Sequence, residues 1–172
     1  VYENLEYQAQ LRLPRKMSAE QRMHIVDDVI KLLQISHIGD SIVGSVEKRG
    51  ISGGQRKRVN IGMELVIDPI VLFLDEPTSG LDSTSSEVLL AALKDLTKLG
   101  LTVVTVIHQP RFSIFTRFDH VLLLGKGGRT VYSGPSRLAI PYFEQAEGAQ
   151  LNFGLMLLLV LINSGISVIF SY

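Results

Sequence analysis

The sequence predicts an α/β sandwich built on a mainly parallel sheet. Two continuous apolar runs, Ile70 to Asp75 (IVLFLD) and Leu101 to Ile107 (LTVVTVI), are typical of strands covered on both faces. Ser83 is expected to cap a helix between them, whose apolar residues recur at helical spacing: Leu89, Ala92, Leu93 and Leu96. A strand, a helix and a strand in this order indicate a βαβ unit, and hence an α/β fold.

Two helices are predicted before the first strand. Ser18 opens one, because Gln21 follows at capping-box spacing, and its apolar face is Val26, Val29, Ile30 and Leu33. Ser52 opens the other after a glycine-bearing loop, and its inward residues are Val59, Gly62, Met63 and Val66. Beyond the second strand, DHVLLLGKGGRTVYSG indicates two strands joined by a turn, and residues 135–145 a short helix.

The composition limits the classes of function. With 172 residues the chain has room for one sizeable core, and its 17 basic and 17 acidic residues favour neither nucleic acid nor an acidic partner. The absence of cysteine excludes disulfides and Cys-based metal sites. The first residues lack a signal-peptide pattern and an initiator Met, so we expect the chain to begin inside a longer protein.

The last part of the chain differs in composition from the rest. LNFGLMLLLVLINSGISVIFSY, from Leu151 to Tyr172, contains no charged residue, and a membrane-spanning helix needs about 20 mostly apolar residues. Asn152, Asn163, Gly165 and three serines weaken that interpretation. A membrane-embedded segment and an apolar tail that packs on something else, or results from truncation, both remain open.

Paired acids end the first apolar run. Ligands of parallel α/β sheets gather at the carboxyl ends of the strands, where Asp75 can hold Mg²⁺, usually through water. Glu76, the next residue, can orient or deprotonate an attacking water. The alternative is a pair of acids that only caps a strand before the turn at Pro77.

A serine and two glycines precede the second predicted helix. The N–H groups and dipole of a helix start attract phosphate oxygens, glycine permits close approach, and the Ser52 hydroxyl adds a donor. An ordinary N-cap is the alternative for Ser52, Gly53, Gly54 and Gln55. The basic run Arg56–Arg58 that follows is expected to be a solvated helix face rather than a nucleic-acid patch.

Two other polar residues follow these elements. His108 ends the second strand, on the edge expected to carry Asp75 and Glu76, where an imidazole can reach a transferring phosphoryl group. A structural histidine is the alternative. Asp82 ends the tight turn SGLD, for which a helix cap is the alternative.

In this order the motifs resemble the nucleotide-binding domain of ABC transporters. ISGGQ is similar to the signature loop of that family, IVLFLDE to its Walker B strand and catalytic glutamate, SGLD to its D-loop, and His108 to its switch histidine. The stretches GISGGQRKRV, LDEPTSGLDS and VIHQP resemble the G subfamily, in which this domain precedes the membrane domain. The resemblance covers about Val1 to Phe143.

The resemblance implies a partial P-loop NTPase-type sandwich, with a mainly parallel sheet and a helical signature subdomain. Residues 1–147 would be the C-terminal part of the domain, divided near residue 66 into a helical region and a sheet region, and residues 148–172 an apolar tail. Glu76 would be the general base for ATP hydrolysis, Asp75 would assist Mg²⁺, and His108 would contact the γ-phosphate. In a head-to-tail dimer, Asp82 would couple the two sites, and ATP held by the opposite domain would be clamped by Ser52, Gly53, Gly54 and Gln55.

The implied function is that of the ATP-hydrolysing part of an exporter. Its cofactors would be ATP and Mg²⁺, and its partners a second nucleotide-binding domain and a transmembrane domain, with no nucleic acid. The protein would lie at a membrane, with this domain on the cytoplasmic face.

The sequence departs from the family at two places. The phosphate cradle G-x-x-x-x-G-K-[ST] is absent, since the Gly125–Lys126 pair is followed by Gly127. The apolar tail also arrives soon after Phe143, where the G subfamily has a long polar linker. We therefore expect a fragment, partial gene model or degenerate copy that alone binds ATP weakly and hydrolyses essentially none.

Three alternatives compete with this interpretation. One is a soluble ABC ATPase of DNA repair or translation, against which HQP, GISGGQRKRV and the apolar tail argue. Another is a non-catalytic fragment that pairs with an intact nucleotide-binding domain. A serine hydrolase using a serine, His108 and Asp119 fails for want of a G-x-S-x-G elbow.

Overall fold

The computed structural model describes residues 1–45, 47–107, 110–125, 128–145, 157–158 and 166–169. The chain divides into two compact units, which we describe separately. The first contains residues 1–69 and 80–92, and the second contains residues 70–79 and 93–172. The predicted site residue His108 and most of the apolar tail lie outside the described residues.

The first unit is helical. Helix α1 spans Tyr2–Arg12, α2 spans Ala19–Leu32, α3 spans Gly53–Leu65, and a short 3₁₀ turn covers Ser36–Ile38. Helix α4, Ser83–Lys98, begins in this unit. The starts of α2 and α3 agree with the sequence prediction, since Ser18 and Ser52 are their N-caps and each has a complete capping box.

Three helices of this unit meet at a glycine. A Cβ at Gly62 of α3 would lie 3.0 Å from side-chain atoms of both Leu5 and Leu33. The side chains of Leu5, Leu33 and Val26 are fully buried, and Val59 is only 1% exposed. The absence of a side chain at Gly62 therefore lets α1 and the end of α2 pack closely on α3.

Polar contacts join the same helices at their surface. The Tyr2 hydroxyl donates to Asp27 Oδ1 at 2.7 Å, and this hydrogen bond is the main cause that raises the pKa of Tyr2. Arg12 at the end of α1 donates to Glu64 Oε2 at 2.9 Å and to the Met63 carbonyl at 3.2 Å. These bonds fix α1 against both neighbours.

The second unit contains the sheet. Its strands are β1 Val71–Asp75, β2 Thr102–Val106, β3 His120–Leu124, β4 Thr130–Pro135, β5 Leu157–Leu158 and β6 Ile166–Ile169. The order across the sheet is β1-β2-β6-β3-β4, with β5 paired to β3. The pairs β1–β2, β2–β6 and β6–β3 are parallel, and the hairpin β3–β4 is antiparallel. The predicted mainly parallel sheet and the terminal hairpin are confirmed.

Two short helices complete the second unit. Helix α5 covers Phe112–Phe115, and α6 covers Ser136–Gln145, close to the predicted helix 135–145. At the start of α6 the buried Ser136 hydroxyl donates to the Phe118 carbonyl, just before β3. In the ranges that the structure describes, no helix combines the length and the apolar character needed to cross a bilayer.

One prediction about the strands is wrong for β1. In β2, Val103, Val104 and Thr105 are buried in succession, so both faces of that strand are covered as predicted. In β1, Leu72 is buried, but Phe73 is 74% exposed and Val71 is 39% exposed. Val71, Phe73 and Asp75 alternate with the buried Leu72 and therefore share one face of β1, which no described element covers.

The cap of α4 is a second correction. The prediction placed Ser83 at the cap, but Ser83 is the first helical residue. The Asp82 side chain accepts from the Ser85 amide at 3.0 Å, and its carbonyl accepts from the Ser86 amide. Asp82 is therefore the N-cap, which is a position that Asp and Ser fill about equally well.

Candidate functional site

The start of α3 presents an ordered group of donors at the surface. The Ser52 hydroxyl accepts a hydrogen bond from the backbone N–H of Gln55 at 3.3 Å. In return, the side-chain oxygen Gln55 Oε1 accepts one from the backbone N–H of Ser52 at 2.9 Å. Because the hydroxyl oxygen is the acceptor in this bond, its proton is left to donate to another group. Ser52 and Gly53 are exposed. The first-turn amides of Gly53 and Gly54 have no intrahelical acceptor, which makes this helix start suitable for an anion.

The two glycines of this loop have different structural roles. Gly54 is buried, and a Cβ there would lie 3.0 Å from Ser85 Cβ and 3.1 Å from Ser85 Oγ in the first turn of α4. At Gly53 the nearest atom to an added Cβ belongs to Leu81, at 3.8 Å. Gly54 is therefore required by packing, whereas Gly53 leaves the backbone open to solvent without being required by the fold.

This difference gives a matched pair of substitutions. Gly54→Ala is expected to lower the free energy of unfolding by roughly 1–3 kcal/mol, the usual cost of overpacking. Gly53→Ala should leave it unchanged or raise it by up to about 1 kcal/mol, because alanine favours helices more than glycine does. Urea unfolding of both variants measures the difference, and equal midpoints would contradict the assigned packing role of Gly54.

The basic residues after this loop have a structural role, so the expected solvated face is wrong for two of them. The Arg56 guanidinium donates to the Val43 carbonyl at 3.3 Å. Arg58 donates to the carbonyls of Leu33 and Gln34, at 3.2 and 3.3 Å, where α2 ends. Desolvation lowers the pKa of Arg58. Both arginines are only partly exposed and hold neighbouring backbone to α3.

Asp82 lies at the start of α4 in the same unit as Ser52. Hydrogen bonds from Ser85, first from its side chain and then from its backbone, lower the pKa of the Asp82 carboxyl. The carboxyl is therefore held in its charged form as the helix cap. Asp82 is exposed, and its predicted role in coupling two nucleotide sites stays a prediction.

Asp75 and Glu76 lie at the carboxyl end of β1 in the sheet unit. Asp75 is exposed and pairs with Val106, the last residue of the parallel strand β2. The structure describes β2 to its end and the buried Ile107 after it, but not His108. Asp75 and Glu76 therefore lie where β1 ends, beside the end of β2, while their site roles and the position of His108 stay predictions.

The backbone at Glu76 has a strained conformation. Its φ is +44°, in the left-handed region that residues with a side chain rarely occupy. The Glu76 amide donates to the Val106 carbonyl at 2.9 Å, and its carbonyl accepts from the Ser79 amide at 3.0 Å. These bonds hold the turn, so the half-buried Glu76 leaves the strand in a fixed direction. Strain of this kind clusters at functional sites.

A metal site with several protein ligands is not present in the described part of the chain. No group of three or more His, Asp or Glu side chains in those residues could hold a metal ion. Asp75, a single exposed carboxylate, fits only a cation that takes its other ligands from water or substrate, as Mg²⁺ commonly does.

Comparisons with known proteins identify the family. A family model described as ABC transporter matches residues 1–79, and one described as ABC-2 type transporter matches residues 108–149. The chain is 50% identical over 144 residues to ABC transporter G family member 28 of Arabidopsis thaliana. It is 47% identical over 146 residues to the Broad substrate specificity ATP-binding cassette transporter ABCG2 of Rattus norvegicus. The chain belongs to the G family of ABC transporters.

The matches to these G-family relatives cover little of their length. They include 84% and 85% of this chain, but only 13% of the Arabidopsis protein and 22% of the rat protein. The chain thus spans less than a quarter of the curated relatives it matches. The predicted recognition of a partial G-type nucleotide-binding domain is confirmed by these matches.

Solved structures of ABC ATPases share the fold. The chain is similar to cbiO1 from Clostridium perfringens, part of an ABC transporter complex, with a TM-score of 0.64 and 24% identity. That match covers 88% of this chain and 57% of the other. MJ1267, an ATP-binding cassette of an ABC transporter, gives a TM-score of 0.63 at 21% identity, over 84% of this chain and 61% of its own. The predicted ABC ATPase fold class is confirmed.

One contact at the site was not anticipated from the sequence. His37, in the 3₁₀ turn, places its Nε2 atom 3.3 Å from Gln55 Nε2. Eighteen residues separate the two side chains along the chain, and no spacing rule connects them. Only the packing of the helical unit brings the imidazole to the start of α3.

Proposed function

We propose that this chain is the signature-loop and Walker B part of a G-type nucleotide-binding domain, which hydrolyses ATP to drive export across a membrane. The start of α3 is the observation that carries the proposal. There a capping box fixes Ser52 at the surface with its hydroxyl proton available, beside the open backbone of Gly53. A triphosphate held by a second domain would meet these donors.

Glu76 acts as the base in this proposal. Its carboxylate accepts a proton from water as the water oxygen attacks the γ-phosphorus of ATP and the bond to the ADP oxygen breaks. The fixed turn at the end of β1 supports this role, since a base must be held within hydrogen-bond reach of the water. Asp75 would contribute to binding Mg²⁺, which neutralises phosphate charge when bound.

The proposed roles of these residues require two partners, a second nucleotide-binding domain and a transmembrane domain. Ser52, Gly53, Gly54 and Gln55 would serve ATP bound by a second nucleotide-binding domain, and Asp82 would lie at the interface with it. A transmembrane domain would provide the route of export, with the nucleotide-binding domain at the cytoplasmic face of the membrane. Residues 1–147 would form the domain part and residues 148–172 the tail.

The sequence itself limits what the 172-residue chain does alone. It contains no G-x-x-x-x-G-K-[ST] segment, whose backbone amides and lysine cradle the phosphates in this family. The chain alone should therefore bind ATP weakly and show no turnover. Added to an intact nucleotide-binding domain of rat ABCG2, it should associate in the presence of ATP and dissociate as ADP accumulates.

Analytical ultracentrifugation with ATP, ADP or no nucleotide, together with a phosphate-release assay, tests this expectation. ATP-dependent association without turnover by the chain alone supports the proposal. The proposal fails if no nucleotide promotes association. Turnover by the chain alone that Glu76→Gln abolishes would show that the missing cradle is not needed.

A further inference from the structure

The contact between His37 and Gln55 constrains the orientation of the Gln55 side chain. The side-chain oxygen of Gln55, Oε1, must face the backbone N–H of Ser52, 2.9 Å away, because a backbone N–H can only donate. The Gln55 NH₂ group therefore faces His37 Nε2, at 3.3 Å. Since that NH₂ group also only donates, His37 Nε2 is the acceptor in this arrangement.

The same capping box occurs elsewhere in the chain without this contact. Ser18 and Gln21 at the start of α2 make the same pair of bonds, at 2.8 and 3.1 Å. Within residues 1–45 the structure gives Gln21 no second hydrogen bond of the kind that Gln55 makes to His37. The imidazole is therefore an addition to the box at the start of α3.

The charged groups near His37 engage other partners. Arg58 of α3 donates to the carbonyls of Leu33 and Gln34, and Arg56 donates to that of Val43. Asp40 follows three residues after His37 and acts on Tyr2, whose pKa it helps to raise. Among the described residues none forms an ion pair with His37, and its polar contact is with the side-chain amide of Gln55.

We propose that His37 is a positioning residue for the start of α3. Its Nε2 atom holds the NH₂ group of the Gln55 side chain, so that Gln55 Oε1 stays on the backbone amide of Ser52. A permanent donor at position 37 would instead oppose that NH₂ group, and the side-chain amide would rotate away or turn over. Either movement removes the acceptor from Ser52. The consequence for ATP rests on the proposed function, whereas the coupling between His37 and Ser52 does not.

Amide hydrogen exchange in the whole 172-residue chain tests the coupling without nucleotide. Replacing His37 with Lys, which puts a permanent donor against the Gln55 NH₂ group, should lower protection of the Ser52 backbone amide about three-fold. This value is the change after correction for intrinsic exchange. The Ser18 and Gln21 amides in the same spectra are the matched comparison and should not respond.

Two variants separate positioning from general stability. His37→Gln places an amide oxygen close to the position of Nε2, so it should retain protection of the Ser52 backbone amide. His37→Lys should show the about three-fold lower protection. Unchanged protection in His37→Lys, or an equal fall at Ser18, would overturn the proposal.

The consequence for ATP needs a domain with a complete site. In a chimaera in which residues 1–145 replace the matching segment of rat ABCG2, His37→Lys should raise KM for ATP about three-fold, while His37→Gln should not. A lower KM in His37→Lys would overturn the positioning role, because charge attraction to the triphosphate would then dominate. The proposed function is judged separately, by the effects of Ser52 and Glu76 substitutions.

Discussion

Replacing Glu76 with Gln in the rat ABCG2 chimaera is expected to lower ATP turnover by about 100- to 10,000-fold, the usual contribution of a general base. Gln has the same shape and can orient water, but it cannot accept the proton. ATP binding should remain nearly unchanged, because the phosphate donors at the start of α3 do not depend on this carboxylate. Phosphate release and equilibrium binding of a fluorescent ATP analogue measure the two quantities.

A second substitution separates lost chemistry from lost folding. Glu76 has a φ of +44°, a conformation that glycine adopts without strain. Glu76→Gly should therefore abolish turnover as Glu76→Gln does, and the relief of backbone strain should keep any fall in the melting temperature of the 172-residue chain small. Retained turnover in either variant would remove Glu76 from the role of base. A large fall in melting temperature would instead make it a structural residue.

The parts of the fold that the sequence predicted depend on local patterns. Each capping box needs only a serine and a glutamine three residues apart; the predicted box at Ser18 forms, and the structure shows a second one at Ser52. The parallel pair β1–β2 follows from two apolar runs with a helix between them. These signals lie within one element or between neighbours in the chain, so tertiary packing had little chance to alter them.

The features that were missed depend on contacts between distant residues. The exposure of Phe73 could not be predicted, because an apolar run does not reveal which face of a strand other elements cover. Helix α1 gave little periodic signal, since Leu5 and Ala9 are its only buried residues. The strained position in the turn is occupied by Glu76 and not by glycine, so the residue type does not indicate a left-handed backbone there.

Some features of the candidate site also follow from local sequence patterns, whereas others depend on tertiary packing. The surface position of Ser52 follows from its role as a helix cap, and the neighbouring strand ends of Asp75 and Val106 follow from parallel pairing. The different demands on Gly53 and Gly54 do not follow from the motif. They depend on where Ser85 of α4 lies, which only the packed unit determines.

Ser52→Ala is expected to lower ATP turnover of the chimaera by about 100- to 1,000-fold if the hydroxyl donates to the transferring phosphate. The hydroxyl oxygen already accepts from the backbone amide of Gln55, so its proton is left to donate to another group. Its removal takes one donor from the phosphate and one cap from α3. The loss of the cap alone should cost about 1 kcal/mol of stability.

The chain contains its own control for that cap. Ser18→Ala removes the same hydroxyl from the same type of capping box at the start of α2, a helix with no predicted contact with nucleotide. Both variants should lower the free energy of unfolding by a similar amount, about 1 kcal/mol. Only Ser52→Ala should impair turnover.

The comparison between the two serines is decisive because their local structures are alike. Equal losses of turnover in Ser18→Ala and Ser52→Ala would mean that activity follows helix stability, and the start of α3 would have no special part in binding phosphate. A loss confined to Ser52→Ala cannot come from the cap, since the cap is common to both. It would come from the exposed side of the loop, where Gly53 leaves space for a phosphate that the backbone amides and the Ser52 hydroxyl can reach together.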